Sequence, residues 1–263
     1  MTRNEISARA KRRWAYRIAL VVALSTSIAF DPIPTPVRAA IGDLDPSFGG
    51  AGKVVTNLGG FDVIHALAVQ NDGKIIAAGT SGVQFAAARY NANGSLDSGF
   101  GGNGTLTTDF SGGAGFEQAN ALVLQPDGKI VAAGYTPSSS GFDFALARYN
   151  SDGTADKRFG NRGKVTTNFF GFSADEAAAS ALVIQSDGKI IAAGSTNSLF
   201  GLNQVFGLAR YNEDGTLDPS FGNGGTVAIS FFNNRDYNEI ARAVVIQPDG
   251  RILAAGAAYQ DFG

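Results

Sequence analysis

Gln125-Pro-Asp-Gly-Lys-Ile-Val-Ala-Ala-Gly134 decides the fold, because it recurs. Gln70–Gly79, Gln185–Gly194 and Gln247–Gly256 repeat it with small changes, at spacings of 55, 60 and 62 residues. Four copies of a ten-residue motif are not chance, and self-similarity on this scale sets the architecture. Ala-Arg-Tyr-Asn recurs at 88–91, 147–150 and 209–212. Leu-Asp-x-x-Phe-Gly recurs at 44–49, 96–101 and 217–222, with Ala155-Asp156-x-x-Phe159-Gly160 as a variant. A glycine-rich turn and a short β-type run follow each of these, as in Lys164-Val-Thr-Thr167.

Each unit reads as strands alone. The apolar runs flanking Asp127-Gly128 form a hairpin, with glycine supplying the positive φ. Both runs are almost wholly apolar, which implies burial on two faces. In Phe144-Ala-Leu-Ala-Arg-Tyr149, Phe144, Leu146 and Arg148 share one face and Ala145, Ala147 and Tyr149 the other. The small face lets a neighbouring sheet approach closely. The run after the Phe-Gly turn makes a fourth strand. The expectation is an all-β, β-propeller-like array of about four four-stranded antiparallel blades, the last one incomplete. A stacked solenoid is the competing architecture. Units are placed at about 44–95, 96–154, 155–216 and 217–263, within a repeat domain spanning 40–263.

The first 39 residues read as an export signal. Arg9, Lys11, Arg12, Arg13 and Arg17 precede the uncharged run Ile18–Phe30, followed by Pro32, Pro34 and Pro36 and a cleavage site near Ala39. Thirteen residues are too few for a membrane span, which needs about 20. That segment holds seven of the 21 Lys/Arg and two of the 23 Asp/Glu, so the remainder carries 14 basic and 21 acidic groups. A net charge of −7 disfavours nucleic acid, which needs clustered cations. The densest basic group is one loop, Lys157, Arg158, Arg162 and Lys164. With no cysteine, disulfide scaffolds and thiolate catalysis are excluded, and a single histidine leaves a His-based triad or a multi-His metal site nearly impossible. A secreted, periplasmic or cell-surface location is expected, with no membrane span after cleavage.

Arg89 and Asp97, Arg148 and Asp156, and Arg210 and Asp218 are each eight residues apart. Each Arg lies on the face carrying Phe and Leu, so it needs a carboxylate partner. Three copies of one pair favour a clamp on the long turn over catalysis. Asp45 has no such Arg, since position 37 is Val, and the last unit stops at Gly263 where the others go on to Ala-Arg-Tyr. This reads as a fragment of a longer array, or as an edge left for a partner.

Gln125–Gly134, Phe144–Asn150 and Leu217–Gly222 together resemble the delta-60 repeat, a family of β-propeller-like repeats in secreted or surface proteins of bacteria. The resemblance covers 44–263 and implies export, a propeller fold and more than four units. It brings no active site. Ala155, where Leu is usual, departs from the pattern.

Chemistry is sparse. Asn91-x-Asn93-Gly, Asn150-x-Asp152-Gly and Asn212-x-Asp214-Gly look like half a calcium loop, but Arg89, Arg148 and Arg210 stand where a further acid is wanted. Asx-turns explain the pattern without metal; no cofactor is expected. Asp62, Glu117, Glu176 and Glu239 precede the first strand of each unit, with Glu176 one residue out of register. In a ring they form a carboxylate cluster at a channel mouth, suited to hydrolase or lyase chemistry or to a cation; alternatively they are exposed residues at strand starts. His65, ahead of an apolar run, reads as structural. Phe200 and Leu202, in the longest variable loop, are candidate contact residues. The expected function is an exported, non-enzymatic binding or structural scaffold contacting a protein, glycan or envelope component. A propeller hydrolase or lyase is the second reading.

Overall fold

The computed structural model describes residues 42–113, 115–139, 141–170, 176–197, 203–232 and 237–260. The export-type segment 1–39 and the contact candidates Phe200 and Leu202 lie outside the described residues. Among the described residues, 42–56 and 92–95 make one unit, and those of 57–91 and 96–260 the other. In the small unit the Phe48-Gly49 corner is tied to a turn: Gly49 N–H donates to Asn93 O at 2.8 Å.

The larger unit has no helix among its described residues. The first sheet is β1 (Asp62–Val69), β2 (Ile75–Ser81), β3 (Gln84–Tyr90) and β4 (Thr105–Thr108). The second is β5 (Gln118–Leu124), β6 (Ile130–Ser138), β7 (Gly141–Tyr149) and β8 (Lys164–Thr167). The third is β9 (Ala178–Ile184), β10 (Ile190–Asn197), β11 (Gln204–Tyr211) and β12 (Thr226–Ile229). A fourth holds β13 (Tyr237–Ile246) and β14 (Ile252–Gln260). Every pairing is antiparallel and follows chain order, so each sheet is a meander of propeller-blade type. The first sheet packs on the second, the second on the third, and the third on the fourth; among the described residues the first and fourth show no comparable packing. The sheet frame is offset from the sequence units: Thr105–Thr108, inside the unit beginning at 96, completes the sheet that begins at Asp62.

The hairpin turns form for a local reason. Gln125 N–H donates to Lys129 O at 2.8 Å and Gly128 N–H to Gln125 O at 2.9 Å. Gly128 sits at φ 84°, and Asp127 Oδ1 accepts from Lys129 N–H at 3.1 Å. The closing glycine of the motif has a different reason. The first strand of each sheet is bulged, at His65, Asn120, Ser180 and Arg242, where the register slips by one. The bulge drives a carbonyl of the first strand onto the second. A Cβ on Gly134 would lie 1.7 Å from Gln118 O, and one on Gly79, Gly194 or Gly256 equally overlaps the opposite carbonyl. His65, the first of these bulge residues, is exposed.

Large and small residues interlock between sheets. Ala145, Ala147 and Tyr149 of β7 join Ile76, Phe85 and Phe100 in one core. Phe144 and Leu146 of the same strand join Ala177, Ala192, Ala209 and Tyr211 in the next. Each interior sheet thus offers its small face backward and its large face forward. Buried hydroxyl pairs stitch the same interfaces: Tyr149 Oη to Thr108 Oγ1 at 2.6 Å and Tyr211 Oη to Thr167 Oγ1 at 2.8 Å. Burial pushes both phenols well above their ordinary range, so they stay neutral. The expected two-sided burial of the hairpin strands holds for β2, β6 and β10, while β1 and β14 are half-exposed or exposed.

Two glycine substitutions separate the two causes. Gly134→Ala forces backbone apart and is expected to destabilise by about 3 kcal/mol, at the upper end of overpacking effects. Gly250→Ala meets nothing within 4 Å and carries only the penalty of φ 83°, about 1 kcal/mol. Denaturant unfolding of the two variants measures the difference; equal losses contradict the bulge as the reason for Gly134.

Candidate functional site

The repeated polar residues converge on one device. Arg148 is nearly buried, and its Nε and Nη2 lie 2.9 and 2.8 Å from Asp156 Oδ2. The guanidinium carbon sits 4.4 Å from the centre of the Phe159 ring, within cation–π range. Nη1 donates forward to Glu213 O, in the Asn212–Gly215 turn of the following repeat. The same turn takes a second bond, from Gly160 N–H to Asp214 O at 2.7 Å. Its Gly215 rests on the Phe159 ring so closely that a Cβ would come within 2.9 Å. The preceding copy is the same: Arg89 pairs with Asp97 at 2.7 Å, lies over Phe100 at 4.7 Å and donates to Ser151 O. Gly101 N–H meets Asp152 O at 2.8 Å. We term this arrangement a latch: an Arg-Asp-Phe-Gly corner of one repeat holding the Asx-Gly turn of the next.

The third copy differs. Arg210 lies over Phe221 at 4.7 Å and its Nε is 2.8 Å from Asp218 Oδ2, though out of line for a hydrogen bond. Its Nη2 donates to Ser220 Oγ at 3.0 Å. The Ser220 hydroxyl and N–H, with Lys189 and Arg210 behind them, hold the Asp218 carboxyl down to about 2.

The acids at the strand starts are staples for loops. Glu117 is fully buried, and its carboxylate accepts from Phe110 N–H at 2.9 Å, Ser111 N–H at 2.8 Å and Thr136 Oγ1 at 3.3 Å. Glu239, also fully buried, accepts from Phe231 N–H at 3.0 Å and Phe232 N–H at 3.1 Å. Asp62 accepts from Leu58 N–H at 2.8 Å, and the Ser81 hydroxyl and that N–H lower its carboxyl. Ala177, buried, takes the corresponding place in the third sheet, and Glu176 beside it is exposed and bridged to Phe142. The four acids therefore do not meet at one open mouth. The Asx residues close their own turns: Asp152 Oδ1 accepts from Thr154 N–H at 2.9 Å and Asp214 Oδ1 from Thr216 N–H at 2.9 Å. No three metal-ligating side chains converge among the described residues.

One cleft breaks the repetition. It lies between the hairpin turns of the second and third sheets, has a volume of about 1230 Å³, and is lined by Gln125–Asp127, Lys129, Asn150, Thr154–Arg158, Ile184–Gly188 and Glu213 among others. In the first and third sheets the hairpin lysine crosses to the latch carboxylate: Lys74 to Asp97 at 3.0 Å and Lys189 to Asp218 at 3.4 Å. In the second, Lys129 pairs with Asp127 of its own turn, and Asp156 is left to Arg148. Burial opposes the Asp127 charge, but Lys129 more than offsets it and keeps the carboxyl low. Lys157 and Arg158, exposed on the cleft wall, have no ion partner among the described residues. The corresponding pairs in the other copies are Pro46-Ser47, Ser98-Gly99 and Pro219-Ser220. That departure from the repeat was the available signal for the site; as a basic loop alone it points nowhere.

The family described as "Domain of unknown function (DUF5122) beta-propeller" matches residues 70–100, 125–159 and 185–221. Each stretch starts at the hairpin glutamine and ends at the latch phenylalanine. A solved structure of virginiamycin B lyase from Staphylococcus aureus is similar at 9% identity with a TM-score of 0.29, covering 73% of this chain and 69% of that one. No curated protein matches this sequence.

The Asp218 geometry sets a pH dependence. Its folded pKa, about 2, lies below the ordinary 3.8, so its contribution is complete above about pH 4 and is lost as pH falls toward 2. Asp218→Asn is expected to flatten the fall of Tm over that interval while lowering Tm at neutral pH. An unchanged acid profile contradicts the assignment.

Proposed function

We propose that this chain is an exported, non-enzymatic binding scaffold that holds an acidic envelope glycan in the cleft between its second and third sheets. The observation that carries the reading is the division of labour among charges. Charges that recur in the repeats serve internal contacts, as latches, loop staples or hairpin-turn pairs. Lys157 and Arg158 occur in one copy, stand on the cleft wall and have no ion partner among the described residues. A cation without an internal partner at a cleft favours an anionic ligand. What supports the absence of chemistry is that Glu117 and Glu239, the acids a hydrolase or lyase needs at an open site, are fully buried and accept from loop N–H groups. Export rests on the arrangement of residues 1–39, and the delta-60 resemblance agrees with it.

Two measurements test this. Expressed with residues 1–39 intact, the chain is expected outside the cytoplasm with Ala40 as its first residue, read by N-terminal sequencing; a cytoplasmic chain starting at Met1 contradicts export. The purified chain is expected to be retained on polygalacturonate but not on neutral dextran, with retention falling as salt rises. Lys157→Glu together with Arg158→Glu is expected to weaken retention about tenfold or more at low salt. Retention that ignores charge, or survives both substitutions, overturns the assignment of the cleft.

A further inference from the structure

We infer that the free edge of β14 and the Phe221-Gly222 corner form one docking site, and that its occupant is a strand-and-turn segment of repeat type. Such a segment alternates large and small residues and ends in Arg-Tyr-Asn-x-Asp-Gly. This site is separate from the cleft.

Two filled copies define the geometry. β7 runs along β6 with Tyr149 opposite Ile130 and Ala145 opposite Gly134. The chain then turns, and the same segment places Ser151 O on Arg89, Asp152 O on Gly101 N–H and Gly153 on the Phe100 ring. β11 does the same along β10, with Tyr211 opposite Ile190 and Gly207 opposite Gly194, and its turn falls on Arg148, Gly160 and Phe159. In each case one continuous segment adds the third strand of a sheet and closes the latch of the sheet before it.

The third corner and fourth sheet keep the receiving half of this arrangement. β14 repeats the edge motif, Ile252-Leu-Ala-Ala-Gly256, and among the described residues pairs only with β13. Phe100 and Phe159 are fully buried, whereas Phe221 is partly exposed. The Arg210 side chain is 18% exposed against 8% and 7% for Arg89 and Arg148. Among the described residues no acceptor takes the Gly222 N–H, the counterpart of Gly101 and Gly160. The corner offers donors, a guanidinium and an N–H, and the turns that fill its counterparts offer two carbonyls. Among the described residues no turn of this kind is spare: Asn93 O, Asp152 O and Asp214 O are already taken by Gly49, Gly101 and Gly160. The described turns of a second copy therefore fill the site only by opening one of its own latches, which points to a repeat-type segment beyond the described residues.

The probe is a labelled peptide with the sequence of Phe144–Thr154, titrated against the intact purified chain by fluorescence anisotropy. Saturable one-to-one binding is expected, absent for a scrambled peptide. Replacing the peptide's turn glycine, equivalent to Gly153, by alanine is expected to weaken binding about tenfold or more, because in the filled copy a Cβ there would lie 2.8 Å from the Phe100 ring. Arg210→Ala in the chain is expected to weaken it similarly, with an unchanged circular dichroism spectrum. Three results each overturn the proposal: no saturable binding at millimolar peptide, equal binding of the glycine and alanine peptides, or self-association of the chain that the peptide does not displace.

Discussion

The structure depends on a cation held against an aromatic ring at three of its repeat corners. Arg148 is nearly buried, and a buried guanidinium is tolerable only when its donors are matched. Asp156 takes two of them, the Phe159 face covers the plane, and Glu213 O takes a third. That third acceptor belongs to the next repeat. The burial requirement of one side chain therefore fixes where the following turn sits, and the turn in turn fixes the strand behind it. The glycine in that turn is needed because it lies flat on the same ring.

The alternation of large and small residues along the third strand works with this constraint. Ala145 and Ala147 let the preceding sheet come close, while Phe144 and Leu146 fill the space toward the following one. Packing of this kind is non-directional and permits sliding; the latch and the Tyr–Thr hydroxyl pairs supply the register. Interface position is thus set by polar contacts and its strength by apolar area, the usual division between orientation and burial.

Much of this was legible. Asp-Gly turns between apolar runs dictate hairpins through local backbone preference, and an Arg on an apolar face demands a carboxylate, so pairs such as Arg148 and Asp156 can be read from spacing. Other features depend on distant groups. Gly134 reads as an ordinary strand glycine until the bulge at Asn120 brings a carbonyl against it. Glu117 looks the same in sequence whether it points to solvent or folds back to collect the Phe110 and Ser111 N–H groups. Lys129 on the cleft wall pairs with Asp127 and not Asp156, a choice between two carboxylates that spacing does not resolve. The forward reach from Arg148 to Glu213 joins residues sixty-five apart, beyond any local pattern.

Because each latch connects only consecutive repeats, no interface knows how many others exist. Duplication or deletion of a whole copy leaves every remaining joint with the same atoms. The uneven spacings of 55, 60 and 62 residues fit such a history, since the joints ignore what happens in the loops between them. For such a polypeptide, evolutionary change of length is easy and change within a joint is hard, so copy number is the freer variable under selection.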